Sequence, residues 1–342
     1  MSSSLRLGGR LFVCLSLMVA LVAGAFGPHV AIQAQDDGIV PEELVVGMIP
    51  SREPDTLLPD LEPFAQLLLG RLQERGFNIQ SVRAFVPESE AATVAAIGTG
   101  EVHVGFMGPF SAVQAEQQEG AEILTSSVRF GDLFYRGELM ANQSLADPNQ
   151  GPLIGNIDDL EQAIKNGADV TMSYTSTGST SGFLFPCLVM KNRDILPGDY
   201  PNFQTFVAGG HSGSALAVLR GDADIGWGYD DVRLDLVGRT ADTGLPEDMP
   251  DMDQVNELTT RIKLIGFTDF IPNDPQVASG SLSSDLREAI KEEMVALSTT
   301  EEGRPLLESL MDATELLPVQ SENFDAVRQV VGEIQPIRDR CL

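Results

Sequence analysis

Basic and redox-active residues are scarce in this chain of 342 residues. Its sequence contains 22 lysines and arginines, three histidines and three cysteines beside 50 acidic residues, and its formal net charge is −28. A surface this acidic repels nucleic acids and anionic lipids, so no nucleic-acid partner is expected. Salt screens charge beyond about 8–10 Å, and a local cleft for a small anion therefore remains compatible with the composition.

The signatures of common catalytic and metal sites are also absent from the sequence. It has no His-Glu-x-x-His or Cys-x-x-Cys motif and no phosphate-loop lysine motif, so no metal and no cofactor are expected. An exported hydrolase is the first alternative. Residues 210–214, Gly-His-Ser-Gly-Ser, depart at their last position from the Gly-x-Ser-x-Gly turn of such enzymes. We therefore expect that the protein is not an enzyme.

Long apolar runs are confined to the N-terminus. Arg6 and Arg10 precede an apolar stretch at 11–25, and small residues at 31–34 offer a cleavage site, which together predict a signal peptide at 1–34. No later stretch reaches the roughly 18 apolar residues that span a bilayer. The mature protein is therefore expected to be exported, to the periplasm or the outer face of the cell membrane.

Two cysteines, Cys187 and Cys341, remain after removal of the signal peptide. Export permits a disulfide between them, whereas two free thiols are the alternative. Sequence does not show their separation, and both interpretations stay open.

Short apolar strands alternate with helices along the mature chain. A buried strand at 44–50, a helix at 61–72 beginning beside Pro63, and strands at 79–86 and 102–107 predict a β-α-β-α-β unit with a parallel sheet. A second α/β unit begins near Ile157. Two lobes with a ligand cleft between them are the natural arrangement.

The predicted lobe boundaries follow from this order of elements. The first lobe is assigned to 40–138 plus 240–342, and the second to 142–235. Crossings between them are placed near 136–142 and 228–236. The acidic stretch 238–256 is predicted as a loop, and the strand and helices that follow it are predicted to return to the first lobe.

The most informative stretch is residues 173–182, which read Ser-Tyr-Thr-Ser-Thr-Gly-Ser-Thr-Ser-Gly. A short predicted strand precedes it and an apolar helix follows. Such a loop gathers hydroxyl donors, unpaired backbone N–H groups and the positive end of a helix dipole, which suits a small oxyanion. A flexible linker is the alternative that composition alone favours.

Three segments, in order, resemble the exported binding proteins of phosphonate, phosphite and phosphate ABC transporters. They are residues 100–110 (Gly-Glu-Val leading to Gly-Pro), 179–186 (Ser-Thr-Ser-Gly leading to Pro) and 209–224 (Gly-Gly-His leading to Val-Leu-x-Gly-x-x-Asp). The resemblance extends over roughly residues 42–315. It implies an α/β periplasmic-binding-protein fold, in which each of two lobes is a mostly parallel sheet flanked by helices and the ligand cleft lies between the lobes.

The resemblance also implies ligand-binding roles for particular residues. Ser179, Thr180 and Ser181 would bind the oxyanion, and His211 would donate from across the cleft. Asp230 and Asp231 match an acidic position that meets an amine or a protonated oxygen of the ligand, with a solvated or hinge-capping pair as the alternative.

The sequence departs from the family pattern where many members carry a tyrosine. Glu90 or Ala91 takes that place, and Glu90 is interpreted as solvated. Phe110 or Tyr174 is then expected to supply an aromatic wall to the site.

The function implied is capture of a phosphorus oxyanion by lobe closure, for an ABC transporter permease, by a monomer that does not change its ligand. Two alternatives stay open. The same fold could signal to a membrane receptor of the histidine kinase type, or the ligand could be another oxyanion such as sulfate or an arsenic species.

Overall fold

The structure, a computed structural model, describes residues 38–146 and 154–342, and residues 37–342 form one compact unit. The predicted signal peptide at 1–34 lies outside the described residues. The strands are β1 (Glu43–Met48), β2 (Ser81–Phe85), β3 (Val104–Phe106), β4 (Glu122–Arg129), β5 (Phe134–Tyr135), β6 (Gly137–Asn142), β7 (Val170–Tyr174), β8 (Phe203–Val207), β9 (Ile225–Tyr229), β10 (Ile262–Phe267), β11 (Ile271–Pro272), β12 (Pro275–Ala278) and β13 (Ala313–Pro318). The α-helices are α1 (Pro54–Glu74), α2 (Glu90–Thr99), α3 (Pro109–Glu119), α4 (Ile157–Lys165), α5 (Phe185–Asn192), α6 (His211–Arg220), α7 (Thr240–Thr243), α8 (Asp251–Arg261), α9 (Ser284–Leu297), α10 (Gly303–Met311) and α11 (Asp325–Ile334).

The first lobe is built on a six-stranded sheet in the order β13-β4-β12-β3-β1-β2. β1 pairs in parallel with β2 and β3, which confirms the predicted β-α-β-α-β unit. β12 and β13 add antiparallel ladders, so the sheet is mixed. Leu44, Val46 and Met48 of β1 are buried with apolar residues of α1, α9 and α10, and this core holds the strand ends that reach the cleft.

Helix α1 begins earlier than the sequence predicted. It starts at Pro54 and contains both Pro59 and Pro63, so the prediction that it begins beside Pro63 is wrong. Pro54 suits the first turn, where an N–H has no helical partner anyway. Leu57 and Leu61 are fully buried and hold these early turns on the core. Over residues 38–146 and 154–342, no helix is long and apolar enough to cross a membrane.

The second lobe is built on a five-stranded sheet in the order β10-β6-β9-β7-β8. β7 pairs in parallel with β8 and β9, and β6 runs antiparallel to both β9 and β10. The parallel strands end at Tyr174, Val207 and Tyr229. Because carboxyl ends of parallel strands share one edge of a sheet, the loops after β7, β8 and β9 meet at the cleft.

In the observed sheet topology, the crossings between the lobes lie at positions that differ from the predicted ones. The first lies at 130–136, between β4 and β6, just before the predicted 136–142. The second lies at 268–274, not near 228–236, because β10 pairs with β6 in the second sheet. Residues 240–267 therefore belong with the second sheet. The segment 238–256, predicted as a loop, contains α7 and the first half of α8. Helix α8 has two buried residues, Gln254 and Leu258, so its sequence carries little of the apolar periodicity that predicts a helix.

The C-terminal segment contacts both lobes. Helix α11 packs against α3 of the first lobe and α5 of the second. Cys341 forms a disulfide with Cys187 of α5, which decides between the two open interpretations of these cysteines. Arg340 also pairs with Asp199, so the end of the described chain is attached to the second lobe by a covalent bond and an ion pair.

Candidate anion-binding site

A small cavity of about 60 Å³ lies between the two lobes. The first lobe contributes Gly108, Ser111 and Arg129 to its lining, and the second contributes the Ser179–Ser181 loop and His211. Roughly 10–15 Å³ of cavity accommodates one water molecule. The cavity therefore has room for about four to six non-hydrogen atoms, the size of a small tetrahedral anion.

Two helical N-termini, one from each lobe, meet at this cavity. In the first lobe α3 begins at Pro109, and in the second a π-helical turn, Thr180–Leu184, continues into α5. The Phe110 N–H donates to Thr180 Oγ1 at 2.9 Å, which joins the two ends directly. First-turn N–H groups lack partners inside their own helix and carry partial positive charge, so both ends favour an anion.

The π-helical turn is formed by the local sequence. The Leu184 N–H donates to the Ser179 carbonyl at 3.0 Å, and Ser179 Oγ caps the turn by accepting from the Gly182 N–H at 3.0 Å. A Cβ on residue 182 would lie 1.9 Å from Thr175 Oγ1, so only glycine fits there. The loop therefore presents three consecutive hydroxyl groups, those of Ser179, Thr180 and Ser181, on one tight turn.

Two of the three loop hydroxyls, those of Ser179 and Thr180, keep a proton to donate. Ser179 Oγ accepts from Gly182 and lies 3.3 Å from His211 Nε2, while Thr180 Oγ1 accepts from Phe110. A hydroxyl has two acceptor sites and one O–H donor. Because each of these oxygens accepts a backbone N–H, its own O–H remains available to donate, and an anion in the cavity would supply the acceptor.

His211 is neutral and its proton is on Nε2. The Tyr229 N–H donates to Nδ1 at 3.2 Å, so Nδ1 must be unprotonated, and Nε2–H faces Ser179 and the cavity. Burial, with a smaller contribution from the nearby Arg129 charge, lowers the pKa of His211 to about 3. The imidazole is therefore a neutral hydrogen-bond donor across the whole physiological pH range.

We expect the His211 imidazole to stay neutral down to about pH 4. Because its folded pKa lies below the ordinary 6.5, the unfolded chain binds a proton first, and stability is lost as the pH falls from about 6.5 towards 3. Histidine ring NMR between pH 8 and 4 tests this, with His211→Gln assigning the resonance. A midpoint near 6.5 for that resonance would contradict the assignment.

Four of the predicted site residues do not line the cavity. Phe110 contributes its backbone N–H, but its ring is buried in the core, as is that of Tyr174, which packs edge-on against Phe183. The Asp230 carboxylate lies 3.9 Å from Arg129. Asp231 has a left-handed backbone, and its N–H donates to Glu138. The cavity lining brings together only Ser179, Thr180, Ser181 and His211 of the predicted set.

The aromatic wall is formed by two tyrosines that the sequence did not single out, Tyr135 and Tyr229. Tyr135, on the first crossing, lines the cavity together with Ser181. The Tyr229 ring packs on His211 with centroids 4.6 Å apart. Tyr229 is the last residue of β9, and a tyrosine at such a strand end is the signal that could have found it.

Carboxylates also line the cavity. The Ser176 hydroxyl donates to Glu90 Oε1 at 2.8 Å across the cleft, so the interpretation of Glu90 as solvated is wrong. Burial raises the pKa of Asp274 to about 6, against the lowering effect of Arg129. In the part of the chain that the structure describes, no group of His, Cys, Asp and Glu could hold a metal ion.

Two mixed sheets, joined by crossings and enclosing a small cavity, define a two-lobed periplasmic-binding protein. A family model described as "ABC transporter, phosphonate, periplasmic substrate-binding protein" matches residues 46–324. The chain belongs to this family, as its three motifs predicted.

Two characterised relatives are similar in sequence. The chain is 26% identical over 227 residues to the "Phosphate-import protein PhnD" of Mycolicibacterium smegmatis, covering 64% of this chain and 63% of that protein. It is 25% identical over 266 residues to the "Phosphonates-binding periplasmic protein" of Escherichia coli, covering 77% and 69%. The chain thus matches somewhat less than two thirds of the length of the first relative.

Two solved structures have the same fold. A binding protein component of an ABC phosphonate transporter from Pseudomonas aeruginosa has a TM-score of 0.66 at 20% identity, with 84% of this chain and 85% of that chain covered. PhnD1 from Prochlorococcus marinus, in complex with methylphosphonate, has a TM-score of 0.69 at 18% identity, with 87% and 100% covered. These similarities support the two-lobed architecture.

Proposed function

We propose that this protein captures a small phosphorus oxyanion (a phosphonate, phosphite or phosphate) outside the cytoplasm and delivers it, chemically unchanged, to an ABC permease. The observation that carries this proposal is the convergence of two helical N-termini and the Ser179–Ser181 hydroxyls on one cavity of about 60 Å³. Several donors around one point match the several acceptors of a tetrahedral anion, and hydrogen bonds to a charged partner are strong.

The names of the relatives agree with this ligand class. One relative is named for phosphate import and the other for phosphonate binding, and a neighbour in structure contains methylphosphonate. The cavity volume favours phosphate, phosphite or a short phosphonate over a nucleotide or a sugar phosphate. Membership of a substrate-binding family supports a role in binding and not in catalysis.

Closure of the two lobes is the proposed mechanism. Three hydrogen bonds connect the lobes at the cavity: the Phe110 N–H donates to Thr180, the Ser111 hydroxyl to the Gly178 carbonyl, and the Ser176 hydroxyl to Glu90. An anion held by the Ser179–Ser181 loop would add contacts to both lobes and stabilise this arrangement. A ligand shifts the equilibrium between the open and closed forms only through its differential affinity for them, so the anion would favour the closed form. The permease would then recognise that form.

Calorimetric titration of the protein without residues 1–34 tests the proposed function. The ligands are methylphosphonate, phosphite, phosphate and sulfate, at one pH and one salt concentration. We expect tight binding of at least one phosphorus oxyanion and much weaker binding of sulfate. A folded protein that binds none of the phosphorus compounds, or prefers sulfate, would contradict the proposal.

A side chain at residue 178 is expected to hold the lobes apart. A Cβ on Gly178 would lie 2.8 Å from the Glu90 Cβ of the opposite lobe. Gly178→Val should therefore weaken ligand binding about tenfold or more, because overpacking a close contact costs about 1–3 kcal/mol. With saturating ligand, small-angle scattering should show a larger radius of gyration for Gly178→Val than for the wild type. The thermal unfolding midpoint of the variant should change little.

The second substitution Glu90→Gly provides the matched control for this steric clash between residues 178 and 90. Adding it to Gly178→Val removes the opposing Cβ and should restore closure, and Glu90→Gly alone gives the baseline. Unchanged affinity and unchanged scattering for Gly178→Val would show that closure does not need this contact.

A further inference from the structure

Arg129 is a buried cation at the cavity that no sequence motif predicted. It is the last residue of β4, its side chain is 8% exposed, and it lines the cavity together with the Ser179–Ser181 loop and His211. Burying a guanidinium is costly unless charge partners and hydrogen bonds compensate. The contacts of Arg129 therefore indicate what it is built to bind.

The hydrogen-bonding capacity of Arg129 is not used by its neighbours. Its terminal nitrogens lie 3.9 Å from Asp230 and 3.6 Å from Asp312, beyond the 2.7–3.2 Å of an N–H···O bond. Its Nε has no hydrogen-bond partner among residues 38–146 and 154–342. These acids thus compensate for the cost of burying the guanidinium and leave its N–H donors available.

Two aromatic rings orient this guanidinium. It lies 5.7 Å from the ring centroid of Tyr135 and 5.8 Å from that of Tyr229, within the range of cation–π attraction. Both rings line the cavity. The planar group is therefore held in place at the cavity, and its fork of N–H donors matches the oxygens of a phosphorus oxyanion.

The other cation of the cavity lining is already engaged. Arg52 donates to the backbone carbonyls of Ser309 and Leu310. The remaining polar groups of the second lobe, the loop hydroxyls and neutral His211, carry no net charge. Three carboxylates, those of Glu90, Asp274 and Asp312, line the same cavity. Without a further cation, this lining would disfavour a second negative charge on the ligand.

We propose that Arg129 binds the oxyanion directly, from the side opposite the Ser179–Ser181 loop, and selects ligands that carry two negative charges over ligands that carry one. This inference deepens the proposed function and rests on it. The loop supplies geometry for any tetrahedral anion, whereas Arg129 supplies the charge that distinguishes a phosphonate dianion from a phosphinate monoanion. Arg129 is thus a specificity-determining residue of the site.

The test compares two ligands of nearly the same size, methylphosphonate and dimethylphosphinate. Methylphosphonate has three oxygens and carries up to two charges, whereas dimethylphosphinate has two oxygens and one charge. Their dissociation constants are measured by calorimetry at about pH 8 for the wild type, Arg129→Gln and Arg129→Lys. Arg136→Gln is the matched control, because Arg136 packs over Phe270 at the neighbouring crossing and does not line the cavity.

We expect Arg129→Gln to weaken methylphosphonate binding about tenfold to a hundredfold and dimethylphosphinate binding much less, because one charge-assisted interaction is lost. The methylphosphonate affinity of Arg129→Lys should fall between those of the wild type and Arg129→Gln, since a lysine retains the charge but lacks the fork of N–H donors. Arg136→Gln should leave both constants within about twofold. Thermal unfolding of each variant shows whether it is folded.

Equal losses for the two ligands would overturn the inference, because Arg129 would then act only through its cross-lobe pairing with Asp230. Unchanged methylphosphonate binding in Arg129→Gln would overturn it too. If that variant does not fold, the ratio of the two constants in Arg129→Lys decides in the same way. A folded wild type that binds none of methylphosphonate, dimethylphosphinate, phosphite and phosphate would refute the proposed function itself, which is a distinguishable result.

Discussion

Alanine at both Ser179 and Thr180 is expected to weaken binding of the phosphorus oxyanion by at least about a hundredfold. Each hydroxyl accepts a backbone N–H, from Gly182 and Phe110 respectively, and so has its own proton left for the ligand. A hydrogen bond to a charged partner contributes about 1.5–3 kcal/mol, and two such losses give this factor or more. Calorimetry with the best ligand of the panel measures it.

The same double variant should also be less stable. Ser179 caps the π-helical turn, and loss of a cap costs about 0.5–2 kcal/mol. Thr177→Ala is the matched control, because Thr177 lies on the same loop and its side chain does not line the cavity. Near-normal affinity in the double variant, or an equal loss in Thr177→Ala, would show that the loop hydroxyls do not bind the ligand.

Serine at both Cys187 and Cys341 is expected to lower the free energy of unfolding by about 2–5 kcal/mol. The disulfide joins residues 154 positions apart, and a bond that closes so long a loop removes much entropy from the unfolded chain. It also attaches the C-terminal segment to the second lobe, where Arg338 donates to the Thr177 carbonyl at 2.9 Å. Denaturant unfolding without reductant measures the change.

Reduction provides the control for the disulfide. A thiol reductant should lower the stability of the wild type towards that of the double serine variant and leave the variant itself unchanged. A wild type whose unfolding midpoint does not respond to reductant, while free thiols become titratable, would contradict a stabilising role for this bond.

The binding loop could be predicted from sequence because it is a local unit. Strand β7, the Ser/Thr/Gly turn and the following helix are contiguous, and the turn's cap and its obligatory Gly182 lie within ten residues of one another. The same holds for His211, which follows two glycines at the start of α6. Local hydrogen bonds and helix-end electrostatics determine these features, and both can be inferred from residue order.

The prediction that Phe110 or Tyr174 forms the aromatic wall was wrong for a physical reason. Tyr174 and Tyr229 each end a strand of the second sheet, yet Tyr174 packs on Phe183 in the core, whereas Tyr229 packs on His211 at the cavity. The direction of a side chain at a strand end depends on which face is covered. That choice depends on the packing of α5 and α6, which residue order alone does not show.

The sequence by itself determined the class of protein, the order of its α/β units and the loop that supplies neutral anion donors, because each rests on contiguous motifs and short-range hydrogen bonds. Only the tertiary structure decided where the chain crosses between the lobes, that Cys187 meets Cys341, and that Arg129 and Asp274 face the same cavity. These features depend on contacts between segments more than a hundred residues apart, and burial and charge at such contacts follow from packing.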